Sequence, residues 1–326
     1  MKDNQIADIL DELTDGANKY DDFVSVRHEI EEAEDLFVVR FSGQHRKQSI
    51  ETTQNMVGVR IRVREQPGPE LRYSAYPTTG DKGDPLGIEV PARKPNGAPY
   101  IGGDRIMNRQ SGGWGTLGLP ARYGIDMTNG RDHCSTGRNP CLLSNNHVIA
   151  RSDSGARGEA IHWLAGTVLD EQIGQLACAI PMNSSPHVDV SLATLTTNNV
   201  AWFELGGIGK ITGAISRPLY KVQYKKSGAR TGLRVGEFAG YGTIKIDGRI
   251  YQAVGSITRG FSCQGDSGSI IVDGSMRIIG IVFAGETLPC SKDPYTWFIP
   301  FEQLRGGTLL KLRVTDEDIR EQYSSI

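Results

Sequence analysis

The sequence predicts a mainly β fold, a barrel or sandwich of many short strands, preceded by a small α+β unit. Three observations carry this. First, 40 glycines and 15 prolines among 326 residues imply frequent turns and disfavour helical bundles. Second, beyond residue 110 short apolar segments recur with turn residues between them: WGTLGLPAR, CLLSNN, IGQLACAI, VDVSLATL, LYKVQYK, VGEFAGYGTIKI, YQAVGSI, SGSIIV, RIIGIVFAG and YTWFIP. Third, a helix-spaced segment near the start gives way to strand-like alternation.

Taken in order, Ile6, Ile9, Leu10 and Leu13 fall at helical spacing with acids between them. A second acidic helical stretch is expected from Val26 to Ala33. LFVVRF at 36–41 reads as a short buried strand. In MVGVRIRV at 56–63, Val57, Val59, Ile61 and Val63 share one face, and Arg60 and Arg62 the other. LGIEV at 86–90 reads as a further strand, and PARKPNGAP at 91–99 as a boundary rich in turn formers. The expected organisation is an N-terminal α+β domain at 1–92, a linker at 93–110, a main β domain at 111–308 and a tail at 309–326. In that tail TDEDIREQY offers a Thr cap and a short polar helix.

Hydrophobic content of 38% and charged content of 23% suit an ordinary folded core. A net charge of −2 gives no overall attraction to nucleic acid or to an anionic membrane. Residues 1–35 carry twelve acids and three Lys or Arg, a net of −9 that leaves +7 for the rest. That segment is a solvated acidic face, or one that docks on the basic remainder or on a regulatory partner. No run of about twenty apolar residues exists, so no membrane span is expected. The acidic, amphipathic start lacks the basic residues and apolar stretch of a secretory leader, which points to the cytoplasm.

The strongest chemical signal is FSCQGDSGSIIV at 261–272. A serine nucleophile needs backbone N–H groups to hold the charge that develops on a carbonyl oxygen. Gly265, Asp266, Ser267 and Gly268 form a tight loop able to aim the N–H groups of Gly265 and Ser267 inward. Such a hydroxyl also needs a base. All six histidines precede Ser267, which rules out the order Ser, acid, His of the α/β-hydrolases, and position 269 is Ser where their elbow has Gly. His147, in LLSNNHVIA, follows an apolar strand; taken alone it reads rather as a structural histidine. Asp189, in VDVSLATL, stands where an apolar strand begins, a place an unpaired carboxylate avoids, although a turn residue also fits there. An acid behind the imidazole fixes its tautomer and stabilises its charged form.

The order His147, Asp189, Ser267 in SNNHV, VDVSLA and GDSGS resembles the chymotrypsin-like serine peptidases. SNNHV is closest to HtrA-type and bacterial trypsin-like members, and GTLG at 115–118 and SGARTGL at 227–233 are similar to intracellular bacterial and plant members with an N-terminal extension. The resemblance spans about 111–305. It implies a double antiparallel β-barrel with the triad in the cleft and an endopeptidase acting on protein or peptide substrates; the residues themselves offer no convincing cofactor or metal site. It further implies a specificity pocket with Phe261 at its floor, where trypsins carry an acid, and Phe283, Ala284 and Gly285 along its wall. Small or apolar side chains are then the expected preference. In members activated by cleavage the acid at Asp266 pairs with a new N-terminal amine, for which YIGGDR, with Ile101 at the terminus, is a faint candidate. Cys263 and Cys290 match a pocket-framing disulfide of secreted members, or are two thiols in a reducing compartment. Cys134 and Cys141 either bridge a hairpin or, with His133, begin a metal site that lacks a fourth ligand, and Cys178 reads as a small buried hydrophobe. Two other functions compete: a catalytically inert binding module on the same fold, and a non-peptidase serine hydrolase.

Overall fold

In the computed structural model the described residues are 3–20, 23–31, 34–41, 60–65, 69–71, 74–75, 97–122, 124–126, 140–165, 168–183, 187–212, 217–258, 260–286, 295–306 and 311–313. The N-terminal part supplies α1 (Asp3–Asn18), β1 (Phe23–Glu31), β2 (Glu34–Phe41), β3 (Arg60–Glu65), β4 (Pro69–Leu71) and β5 (Ser74–Ala75). The middle supplies β6 (Tyr100–Gly102), β7 (Arg105–Asn108), β8 (Gly113–Thr116), β9 (Leu119–Arg122), β10 (Gly124–Asp126), β11 (Pro140–Ser144), the single turn α2 (Asn146–Ile149), β12 (Ala160–Ala165), β13 (Val168–Ala179), β14 (Ser191–Leu195), β15 (Val200–Leu205) and β16 (Gly209–Lys210). The last part supplies β17 (Gln223–Gly228), β18 (Gly232–Ile246), β19 (Arg249–Thr258), β20 (Ile270–Val272), β21 (Ile278–Glu286), β22 (Tyr295–Pro300), α3 (Phe301–Gly306) and β23 (Lys311–Arg313), which pairs with β10.

Two antiparallel rings result. In the first, β7, β12, β13, β14 and β11 pair in succession, and β8 with β9 closes the ring, one end on β7 and the other on β11. In the second, β17, β20, β21, β22, β19 and β18 pair in that order and β18 returns to β17. Closure gives the terminal strands of each sheet a partner, where an open sheet leaves them exposed. One apolar core runs across both rings, with Leu119, Leu143 and Leu192 of the first packed with Ile244, Ile270, Ile281 and Trp297 of the second. The two rings are therefore held at a fixed mutual position, as a site shared between them requires.

The N-terminal α+β unit does not stand apart. Its β1 pairs with β18, β2 with β1 and β3 with β2, so it extends the sheet of the second barrel. The helix-spaced residues Leu10 and Leu13, with Ala17, pack on Phe23, Val26, Phe37, Val39 and Phe41. Gly240 and Gly242 let β1 come close, since a Cβ on either would strike the backbone of His28 or Val26. Where a helix was expected from Val26 to Ala33, residues 26–31 belong to strand β1, and residues 32–33 lie outside the described ones. Both faces of that strand are covered: Val26 faces α1, and the Arg27 guanidinium lies 3.5 Å over the Tyr295 ring. The proposed linker at 93–110 likewise contains strands β6 and β7 of the first barrel region, because Ile106 and Met107 have core to fill. LGIEV and TDEDIREQY lie outside the described residues.

Candidate active site

β11 carries the chain through Leu142 and Leu143 into the barrel core and then into the turn α2, where Val148 and Ile149 are buried. Side-chain amides fix this turn. Asn145 Nδ2 donates to the Asp189 carbonyl oxygen at 2.6 Å, and Asn146 Nδ2 donates to the Ile180 carbonyl oxygen at 2.6 Å. The antiparallel register of β11 on β14 pairs Ser144 with Ser191, which carries Asp189 alongside the residues that follow Ser144. His147 accordingly meets Asp189 twice. Its backbone N–H donates to Asp189 Oδ1 at 3.0 Å, and its ring Nδ1 pairs with Asp189 Oδ2. Asp189 is 0% exposed and His147 4%. Tyr251 belongs to the same neighbourhood, its ring 5.0 Å from Phe283; burial pushes its phenol pKa up, and the Asp189 charge adds to the rise.

The Ser267 loop is shaped by two glycines and one acid. Gly265 and Gly268 have φ of +97° and +95°, the left-handed region that other residues avoid, and a Cβ on Gly265 would overlap the Trp114 ring. Among the described residues, neither the Gly265 nor the Ser267 N–H donates to a backbone carbonyl, whereas Asp266 N–H donates to the Cys263 carbonyl at 2.9 Å and Gly268 N–H to that of Val282 at 2.9 Å. Asp266 turns inward and is fully buried. Its carboxylate accepts from Lys226 Nζ at 2.9 Å, Thr231 Oγ1 at 2.7 Å, and the N–H groups of Cys263 (2.9 Å), Arg230 (2.9 Å) and Thr231 (3.0 Å). Burial alone would raise its pKa, but the Lys226 ammonium and these donors hold it below the ordinary carboxylate value.

Lys226 was not among the residues the sequence singled out. A signal existed, since Tyr224, Lys226 and Gly228 share the inward face of β17 and a lysine there needs a buried partner. Its presence corrects the expectation for Ile101. That residue lies inside β6, with its N–H donating to Asp104 Oδ2 at 2.8 Å, and the charge of Asp266 is already met by Lys226.

The barrels meet at Gly115. A Cβ there would lie 2.6 Å from Val148 and 2.9 Å from the Ser267 carbonyl oxygen, so the histidine turn and the serine loop flank one point. Thr116 N–H donates to that same Ser267 carbonyl at 2.7 Å. The Ser267 hydroxyl donates to the Phe283 carbonyl oxygen at 3.3 Å. Phe283, Ala284 and Gly285 thus continue along β21 directly from the serine, while Phe261 lies in the second barrel's core with Phe238, Ile257 and Phe298. Cys263 is disulfide-bonded, and so is Cys178, which the sequence reading took for a small hydrophobe. Cys141 carries a thiol, so the hairpin bridge to Cys134 is not formed. Among the described residues no group of three metal-ligating side chains gathers.

No protein-family model and no curated protein sequence matches the chain. Solved structures do. A Nocardiopsis protease is 18% identical with a TM-score of 0.46, over 66% of this chain and 98% of that one. Thermobifida fusca protease A is 17% identical with a TM-score of 0.44, over 66% and 99%. A glutamic-acid-specific serine protease is 15% identical with a TM-score of 0.45, over 66% and 100%. The chain is a double β-barrel protein structurally similar to bacterial serine proteases of the chymotrypsin fold.

Proposed function

We propose that the protein is a serine endopeptidase that cleaves peptide bonds through an acyl-enzyme on Ser267. The observation that carries this reading is the buried couple of His147 and Asp189 beside the glycine-flanked Ser267 loop. With Nδ1 donating to Asp189, the neutral imidazole keeps a lone pair on Nε2, the arrangement a general base needs. The Ser267 hydroxyl leaves the Phe283 carbonyl by rotating about its side chain and gives its proton to that nitrogen as its oxygen attacks the scissile carbonyl. The N–H groups of Gly265 and Ser267 receive the oxyanion, each such donor contributing roughly 10²–10³ in rate. The imidazolium then protonates the leaving amine, and water repeats the sequence to release the acid.

Protein or peptide chains are the substrates. With Phe261 in place of an acid, we expect cleavage after small or apolar residues, and a library showing a clear basic preference counts against this. Reaction with a fluorophosphonate probe and hydrolysis of peptides, both lost in Ser267→Ala, are the deciding experiment. A wild-type chain that never labels is an inert binding module. One that labels but turns over only esters is a non-peptidase hydrolase. As to location, the disulfide-bonded Cys178 and Cys263 favour an oxidising compartment, against the cytoplasm suggested by the acidic start. Alkylation of thiols before lysis, with and without reductant, distinguishes the two.

A further inference from the structure

We propose that β4 and β5 occupy, within the same chain, the groove in which a peptide substrate lies, so that the intact protein is latent. This rests on the peptidase reading above. The groove is recognisable from strand edges alone. β21 pairs with β22 along one edge as far as Gly285. On the opposite edge β20 pairs only up to Ile281, which leaves the stretch from Ala284 onward open to another strand. β4 takes that place, antiparallel, with Leu71 opposite Ala284, Glu70 opposite Gly285 and Pro69 opposite Glu286. Three residues on, β5 pairs antiparallel with β8 of the other barrel, Ser74 opposite Trp114 and Ala75 opposite Gly113.

Both edges end at Ser267. Ala284 follows Phe283, whose carbonyl accepts from the Ser267 hydroxyl at 3.3 Å. Trp114 precedes Gly115, where a Cβ would lie 2.9 Å from the Ser267 carbonyl oxygen. Three peptide links separate Leu71 from Ser74, a reach of at most about 11 Å. β4 and β5 therefore lie on the two edges that flank the serine, one on each barrel, in the chain order a bound peptide would have. Adding a strand to an open edge uses main-chain hydrogen bonds and needs no particular side chains. Such an edge binds a tethered segment of the same molecule before a dilute substrate, because tethering gives an effective concentration in the millimolar range.

Competition of this kind lowers the open fraction, which raises KM in proportion and leaves kcat alone. The test replaces residues 69–75 by an equal length of Gly and Ser. KM for a fluorogenic peptide is expected to fall by about tenfold or more, with kcat within roughly twofold; an unchanged KM overturns latency. A second arm needs no catalysis. In a Ser267→Ala background, the amides of Gly113, Trp114 and residues 284–286 should exchange with deuterium about tenfold faster or more in the replaced chain; equal rates overturn the occupancy. Turnover absent from both chains while exchange still differs overturns the peptidase reading and not the occupancy. If the replacement disturbs the barrel amides as well, Glu70→Pro, which removes the one N–H opposite Gly285, serves in both arms.

Discussion

Asp189 and Asp266 are the same residue at the same burial, 0% exposed, and they hold different kinds of partner. Asp189 faces the imidazole of His147, which the proposed reaction uses as its base. Asp266 faces the Lys226 ammonium and four further donors, none of which the proposed reaction uses. The first carboxylate is set behind a group that, in the proposed reaction, gains and loses a proton. The second fastens a loop whose backbone must stay where it is. A buried acid is therefore not read from its burial but from what its partner does.

The comparison breaks most sharply at Asp189. Asparagine keeps the shape but can donate to the ring, favouring the tautomer with its lone pair on the wrong nitrogen. Asp189→Asn is expected to lower kcat by about 10⁴ with the fold intact, the loss that a wrong tautomer causes in a Ser-His-Asp triad. Steady-state kinetics and circular dichroism together check this, and a fall below tenfold would detach Asp189 from catalysis. Lys226→Met acts on stability instead. It leaves the Asp266 charge buried without its cation, a loss of about 3–5 kcal/mol. Denaturant unfolding measures it, and fluorophosphonate labelling should slow as the Ser267 loop loosens. A destabilisation under 1 kcal/mol would mean that the hydrogen bonds to Thr231, Arg230 and Cys263 hold Asp266 without the lysine.

How much of this was legible depended on how local each signal was. The Ser267 loop is one run of consecutive residues, so its glycines and acid were readable directly. His147 and Asp189 are 42 positions apart, yet each sits at the end of an apolar strand, and the antiparallel register of those strands brings them together. Lys226 lies 40 residues before Asp266 in a segment, QYKKSG, whose two adjacent lysines read as surface until the strand's facing is known. β1 was mistaken for a helix because both of its faces are covered, one by α1 and one by Tyr295, which removes the alternation that marks a half-exposed strand. β4 and β5 carry no pattern at all, since strands bound by edge addition depend on backbone and not on side chains.

The smaller effects sharpen the contrast by moving along a scale of exposure. The pKa of Asp266 is lowered in the folded protein, so the stability it adds is fully present above the unfolded value near 3.9 and is lost as pH falls through the lowered folded value. The double variant Lys226→Met with Asp266→Asn has no such charge, and its acid-induced loss of stability should be shallower than wild type below about pH 4. If the two acid limbs coincide, Asp266 is not what titrates. Asp273 extends the series outward: its carboxylate pairs with Arg277 at 2.6 Å, but that guanidinium side chain is 46% exposed. Water already screens the pair, so Arg277→Ala is expected to cost under about 1 kcal/mol in denaturant unfolding. The Arg277 backbone N–H, which donates to Asp273 Oδ1 at 2.9 Å, survives that change and keeps the turn closed. A cost as large as that of Lys226→Met would mean that ion-pair strength here follows geometry and not burial, and the distinction between the two buried aspartates would lose its physical basis.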